Sequence, residues 1–188
     1  MLTGKNIVLG VTGGIAAWRA CPLCIELSLE RHANVDVIMT AHAQEFITEL
    51  SLRNLTHNPV VCDQFERPTS WDVKHISLAR KADLFLVAPC TADVIGKIAN
   101  GIADDMLTTT IMATRAPVVF CPAMNDQMYD NPIVQDNIAR LKRYGYHFIE
   151  PASGVLAYGG TGKGKMADVN DIVDCVVGML LGDRKADS

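Results

Sequence analysis

The sequence predicts a single α/β domain built on a Rossmann-like, doubly wound parallel sheet. Two observations carry this prediction. Short apolar runs of strand length alternate with longer segments of helical spacing along most of the 188 residues, and polar or turn-forming residues directly follow four of the apolar runs. Such alternation is typical of a parallel sheet that is covered by helices on both faces and joined by right-handed crossovers.

Apolar runs bounded by glycine, proline or polar residues define the elements in order. We predict strands over 6–11, 35–39, 83–88, 118–121 and 146–149. Helices are predicted over 15–31, 41–55, 75–81, 91–100, 104–113, 132–144 and 168–181, the sixth with Pro132 in its favoured first turn. Residues 56–73 and the glycine-rich 150–167 are predicted to be loops. We assign 1–182 to one domain and 183–188 to a polar tail.

Composition excludes several classes of function. A net charge of −4 without a basic stripe argues against nucleic acid as a partner. The apolar runs are too short to span a membrane, and the N-terminus lacks a secretory signal, so a cytoplasmic protein is expected. The six cysteines should stay reduced, and Cys21 and Cys24 lack a second pair with zinc-ligand spacing. Asp104 and Asp105 precede a helix as capping residues do, so we expect no metal.

The residues that follow the strands predict one ligand crevice, because ligands bind such sheets beyond the carboxyl ends of the strands. These segments are Thr12 to Gly14, Thr40, Pro89 to Ala92, and Pro122 to Asn125. Gly13 and Gly14 can present main-chain amides to a phosphate, or can simply form a turn. The second strand ends in Met39 and Thr40 rather than an acidic residue, which favours a mononucleotide over a dinucleotide.

Two side chains suit proton transfer and carboxylate binding. His75 can change its charge near neutral pH, although a histidine at a helix start is also commonly a capping or surface residue. Asn125 offers a donor and an acceptor without a charge. Lys163 and Lys165 lie in a glycine-rich segment, which is either a mobile flap for an anionic substrate or a disordered surface loop.

Several motifs in order resemble the homo-oligomeric, flavin-containing cysteine decarboxylases, from about Lys5 to Met166. The resemblance rests on residues 10–17, 74–78, 88–93, 97–105 and 122–128. It implies FMN near Gly13, Gly14, Ile15, Thr40, Thr91, Ala92 and Ala123. It also implies a homotrimer or a dodecamer of trimers, in which His75 and Asn125 reach FMN from different subunits. A separate phosphopantothenate–cysteine ligase is a further expected partner.

The activity that the resemblance implies is FMN-dependent decarboxylation of 4'-phosphopantothenoylcysteine to 4'-phosphopantetheine in coenzyme A biosynthesis. In this family, flavin oxidises the cysteine side chain to a thioaldehyde, which lets the carboxylate leave as carbon dioxide. By this resemblance His75 handles the thiol proton and Asn125 holds the substrate carboxylate. Met124, Lys163 and Lys165 are expected to contact the substrate as well.

One position departs from the family pattern. The family has a cysteine in a Leu-Ala-Cys-Gly segment that donates the last proton, and here the segment is Leu156-Ala157-Tyr158-Gly159. A phenol is bulkier than a thiol and has a higher ordinary pKa, of about 10 against about 8.5. Three outcomes stay open: Tyr158 acts as the acid, the reaction stops at the enethiol as in peptidyl-cysteine oxidative decarboxylases, or the chain is a flavin-binding regulatory protein.

Overall fold

The computed structural model describes residues 1–65, 73–155 and 159–182. Within them, six parallel strands form the main sheet: β1 Asn6–Val11, β2 Asn34–Met39, β3 Val60–Val61, β4 Leu84–Cys90, β5 Val118–Pro122 and β6 His147–Phe148. Their order is β3-β2-β1-β4-β5-β6. The order reverses between β1 and β4, which is the switch point where doubly wound sheets open a crevice. The predicted fold class is confirmed.

Helices connect these strands. The first crossover, from β1 to β2, consists of a 3-10 turn (Ile15–Arg19), helix α1 (Ala20–Cys24) and a π-helical stretch (Ile25–Glu30). A second 3-10 turn, Ala41–Glu45, follows β2. The remaining helices are α2 Glu49–Thr56, α3 Lys74–Lys81, α4 Ala92–Ala99, α5 Met106–Ala113, α6 Asp126–Tyr129, α7 Pro132–Arg143 and α8 Val169–Leu181. Local capping explains several boundaries: Asp105 and Thr108, for example, form a reciprocal capping box at the start of α5.

The central strands are buried on both faces, so they are largely apolar rather than alternating, with Asp36 in β2 as a charged exception. One face packs against α1, α2 and α8, through residues such as Leu23, Leu52 and Ile172. The other packs against α3, α4, α5 and α7, through residues such as Ile95 and Leu141. Both layers leave the carboxyl ends of the central strands uncovered for the site.

Three sequence predictions need correction. The expected helix over 41–55 is a 3-10 turn followed by a separate α2. The loop 56–73 contains the two-residue edge strand β3, although 66–72 lie outside the described residues. The segment 150–167 contains an antiparallel hairpin of β7 (Ala152–Val155) and β8 (Thr161–Lys165) rather than only a loop. The tail, 183–188, also lies outside the described residues.

No helix in the described part of the chain combines the length and the apolar character needed to cross a membrane.

Candidate functional site

A cavity of about 820 Å³ opens at the carboxyl ends of β1, β4 and β5. It is lined by Gly13, Gly14, Ile15, Ala16, Trp18, Arg19, Thr91, Ala92, Asp93, Ala123, Met124, Asn125, Met128, Val155, Gly164, Lys165 and Met166. Most of these residues are apolar or glycine, and the polar groups are few, as in pockets that bind organic cofactors. The segments after three of the four strands named in the sequence analysis therefore meet in one crevice, whereas Thr40, after the second strand, does not line it.

The turn after β1 depends on glycine for close packing. A Cβ added at Gly13 would lie 2.2 Å from the Cβ of His42, so only glycine lets this turn meet the 3-10 turn that follows β2. A Cβ added at Gly14 would make only an ordinary contact, 3.7 Å from the Thr91 side chain across the cavity. Gly14 is extended and caps the 3-10 turn without a side chain. The start of the first crossover is thus open to a ligand.

The buried Thr12 hydroxyl joins the ends of β1 and β4. It donates a hydrogen bond to the Pro89 carbonyl at 2.8 Å and accepts one from the main-chain N–H of Thr91 at 3.1 Å. The last paired residues of these two strands are Gly10 and Val87, so this contact lies beyond the ladder. It fixes the spacing between the Gly13 turn and the Thr91 turn on either side of the crevice.

Asn125 is held in a defined orientation. Its Oδ1 accepts hydrogen bonds from the main-chain N–H groups of Gln127 at 2.9 Å and Met128 at 3.3 Å, which caps α6. Because Oδ1 is committed to the helix, Nδ2 is the end of the amide that can donate to a ligand. An amide NH₂ donates two hydrogen bonds and suits a carboxylate.

The β7–β8 hairpin closes one side of the cavity. The main-chain N–H of Met124 donates to the Gly164 carbonyl at 3.0 Å. Added Cβ atoms at Gly162 and Gly164 would lie 2.7 Å from the Asp126 Cβ and 2.2 Å from the Met124 carbonyl oxygen. Glycines in β8 thus let this strand lie directly against the segment that carries Asn125.

Glu150, just before the hairpin, collects three hydrogen bonds. Its carboxylate accepts from the Tyr129 hydroxyl at 2.7 Å, from Lys142 Nζ at 2.9 Å and from Lys163 Nζ at 3.0 Å. Burial opposes ionisation of Glu150, but these bonds outweigh it and lower its pKa to about 2. Burial and the bond to Glu150 together raise the pKa of Tyr129 well above its usual range.

Charged groups stand at the rim of the cavity. Arg19 and Lys165 supply positive charge, and Asp93 supplies a carboxylate that accepts a hydrogen bond from the Thr91 hydroxyl. The Arg19 guanidinium also donates to the carbonyls of Met166 at 3.0 Å and Ala167 at 3.1 Å, just after β8. An anionic group is therefore favoured near Arg19 and Lys165 rather than near Asp93.

Three of the predicted site residues that the structure describes do not line this cavity. Thr40 caps the following 3-10 turn by accepting from the Ala43 N–H, and Lys163 contacts Glu150. His75 is half-buried near the start of α3. Tyr158 lies outside the described residues. The ligand roles of all four stay predictions.

Sequence reasoning missed Arg19, Trp18, Asp93, Met128 and Met166 among the lining residues. Trp18 is the most informative of these: 57% of its surface is exposed beside the cavity, next to Ile15, which the resemblance had indicated and which is 64% exposed. Their three-residue spacing put them on one helical face, but the sequence could not tell that this face is uncovered.

Within the described ranges no cluster of metal-ligating side chains occurs. Burial raises the pKa of the Cys24 thiol to about 12, so it behaves as a core residue.

Comparison with known proteins shows to which family the chain belongs. The family model described as Flavoprotein matches residues 1–181. The chain belongs to the flavoprotein family. Among its relatives is the coenzyme A biosynthesis bifunctional protein CoaBC of Bacillus subtilis, 49% identical over 173 residues, which make up 92% of this chain and 42% of that protein. The chain thus spans less than half the length of that relative.

Other similar proteins match over nearly their whole length. A Streptococcus mutans protein named "Probable phosphopantothenoylcysteine decarboxylase" is 44% identical over 172 residues, covering 90% of this chain and 95% of that protein. The structure of a mutant PPC decarboxylase complexed with pantothenoylaminoethenethiol has a TM-score of 0.81 and 32% identity, covering 92% of this chain and 96% of the other. The FMN-dependent cysteine decarboxylase SpaF has a TM-score of 0.81 and 27% identity, with coverages of 95% and 99%.

Proposed function

We propose that this flavoprotein decarboxylates 4'-phosphopantothenoylcysteine to 4'-phosphopantetheine with bound FMN. The observation that carries the proposal is the Asn125 amide, held with its donor end available, in a cavity at the strand ends of a chain related to named decarboxylases. A phosphopantothenate–cysteine ligase would supply the substrate, and both reactions would belong to the cytoplasm.

The residues that line the cavity suit FMN chemically. Ile15, Ala92 and Ala123 would offer apolar contacts to a flat ring, and the Gly13–Gly14 turn at the start of the first crossover would offer main-chain amides to a phosphate. Thr40 and Thr91 complete the proposed set of cofactor residues. When bound, FMN supplies reversible two-electron redox chemistry beside the cysteine of the substrate.

The substrate groups are assigned by charge. Asn125 Nδ2 donates to the cysteine carboxylate, and the Met124 side chain packs against the adjoining carbon atoms. The Lys165 ammonium at the rim binds the distant phosphate, and Lys163 contributes positive charge to the same strand. Neutral donors at the carboxylate leave it free to depart as uncharged carbon dioxide.

His75 is proposed to reach the cavity from the partner subunit and to take the proton from the substrate sulfur. The exposed Ile15 and Trp18 at the cavity rim support an oligomer, since contact with a second copy would cover them. A trimer, or a dodecamer of trimers, is the proposed assembly. Tyr158 is the proposed acid for the final proton transfer to carbon.

The test is turnover of synthetic phosphopantothenoylcysteine by the purified, FMN-loaded chain, with carbon dioxide and the product mass measured together. We expect carbon dioxide and saturated 4'-phosphopantetheine. Absence of carbon dioxide from this substrate would overturn the proposal. Tyr158→Cys is the matched variant: an enethiol from the wild type and a saturated product from the variant would show that Tyr158 does not act as the acid.

A further inference from the structure

Glu150 links the two structural elements that carry opposite ends of the proposed substrate site. Tyr129, one of its partners, lies at the end of α6, the short helix that Asn125 caps. Lys163, another partner, lies in β8, two residues before Lys165. The third partner, Lys142, belongs to α7, and its ammonium also lies 5.7 Å from the centre of the Phe148 ring in β6.

The contacts around this carboxylate are stronger than those of an isolated surface pair. Only 4% of the Tyr129 surface is exposed, and the centre of its ring lies 5.3 Å from the Lys163 ammonium. Isolated exposed ion pairs contribute little to stability, but a carboxylate that accepts three hydrogen bonds from well-placed donors forms a network. The network holds the Lys163 ammonium against the end of α6.

The same two elements are also joined through the main chain. Met124 donates to the Gly164 carbonyl, between Lys163 and Lys165 in sequence. The Glu150 network and this hydrogen bond therefore hold neighbouring residues of β8 against the segment from Met124 to Tyr129. Both Asn125 and Lys165 line the cavity, so the distance between them depends on how β8 is held.

We infer that Glu150 is a positioning residue which, through Lys163 and Tyr129, sets the spacing between Asn125 and Lys165 and thereby selects substrates by the distance between their carboxylate and their phosphate. This inference rests on the proposed function for its substrate. It assigns Lys163 a role in holding β8, through which it acts on the substrate indirectly.

The test compares Lys163→Met with Lys142→Met, since both remove one partner of Glu150 but only the first releases the hairpin. In Lys163→Met we expect KM for phosphopantothenoylcysteine to rise about fivefold with kcat nearly unchanged, because one charge-assisted hydrogen bond is lost. Lys142→Met should keep the wild-type KM, and Lys163→Arg should restore it. With a dephosphorylated substrate, the wild type and Lys163→Met should have the same KM.

Hydrogen exchange gives a readout that does not need turnover. The Met124 amide, bonded to Gly164, should exchange faster in Lys163→Met and in Glu150→Gln than in the wild type or Lys142→Met. Unchanged exchange at Met124 together with an unchanged KM in Lys163→Met would overturn the inference. Failure of the wild type to release carbon dioxide would instead overturn the proposed function, and the exchange measurement would still decide the role of Glu150 in holding β8.

Discussion

The Gly164 carbonyl accepts a hydrogen bond from the Met124 N–H at 3.0 Å, and the Gly164 Cα lies so near the Met124 carbonyl that an added Cβ would be 2.2 Å from its oxygen. This contact joins the hairpin to the end of β5. Backbone cannot withdraw as a flexible side chain can, so the position requires glycine.

Gly164→Ala should therefore displace β8 while the main sheet stays folded. We expect near wild-type far-ultraviolet circular dichroism, faster exchange of the Met124 amide and a large loss of carbon dioxide release. Gly154→Ala is the matched control on β7, where the one described atom that an added Cβ would meet is Lys165 Cδ, at 3.7 Å. Equal activity of the two variants would contradict the close packing described for β8.

Asn125→Asp separates the capping role of Asn125 from its ligand role. The aspartate oxygen can still accept from the Gln127 and Met128 N–H groups, so the thermal midpoint should change little. The donor facing the cavity becomes an anionic oxygen, which repels a carboxylate, so turnover should fall by about 100-fold or more. Asn125→Ala removes both roles and should be both inactive and less stable. High activity in Asn125→Asp would exclude carboxylate binding by Nδ2.

Mixing two inactive variants tests whether His75 and Asn125 meet across a subunit boundary. His75→Asn and Asn125→Asp each remove one group, and hybrid oligomers regain sites with both groups intact only if the two come from different subunits. For random assembly in a ring, about a quarter of the sites are restored. When the two variants are refolded together, we expect activity in proportion to these restored sites. The control is the same two variants refolded separately and then mixed, which should stay inactive. No recovery in verified hybrids would place both groups in one subunit.

Thr12→Val removes the hydroxyl that joins β1 and β4 while keeping the side-chain volume. The Pro89 carbonyl and the Thr91 N–H each lose a partner, so the free energy of unfolding should fall by about 1–3 kcal/mol. Urea denaturation of Thr12→Val beside Thr12→Ser, which keeps the hydroxyl, measures the loss. The hydroxyl has no structural role at this position if valine proves as stable as serine.

The lowered pKa of Glu150 predicts a dependence of stability on pH. A carboxyl group whose folded pKa is about 2 stabilises the folded state fully above its ordinary pKa of about 4.3, and this contribution is lost as the pH falls toward 2. The wild type should exceed Glu150→Gln in free energy of unfolding at pH 6, and the difference should narrow by pH 2.5. Glu45→Gln, at an exposed site, controls for loss of a carboxylate. A difference that stays constant with pH would contradict the network.

The sequence predicted the parallel sheet because β1, β4 and β5 are continuous apolar runs, which few other structures accommodate. It missed β3 because two residues carry no periodicity. It also missed β8, whose Gly162 and Gly164 disfavour a strand by intrinsic preference. Close contact with Asp126 and Met124 fixes this strand, and such tertiary contacts leave no local signal.

The candidate site was predictable where it follows strands and unpredictable where it depends on helix faces. Gly13, Thr91 and Asn125 stand at strand ends, so topology alone brought them together. Arg19 lines the cavity from the end of the 3-10 turn that follows β1. The sequence predicted a regular helix there, so it did not indicate which side chains of this segment face the cavity.

The two walls of the cavity differ in how they are built. On the sheet side, Thr12 ties the strand ends with buried hydrogen bonds. On the hairpin side, β8 is held by one main-chain hydrogen bond from Met124 and by the Lys163–Glu150 ion pair, which solvent reaches, and β7 pairs with β8. Adaptation to molecules of another length should therefore proceed by exchanging residues of the hairpin, with the sheet-side wall retained. Directed evolution of this scaffold toward new carboxylates would begin at 150–165.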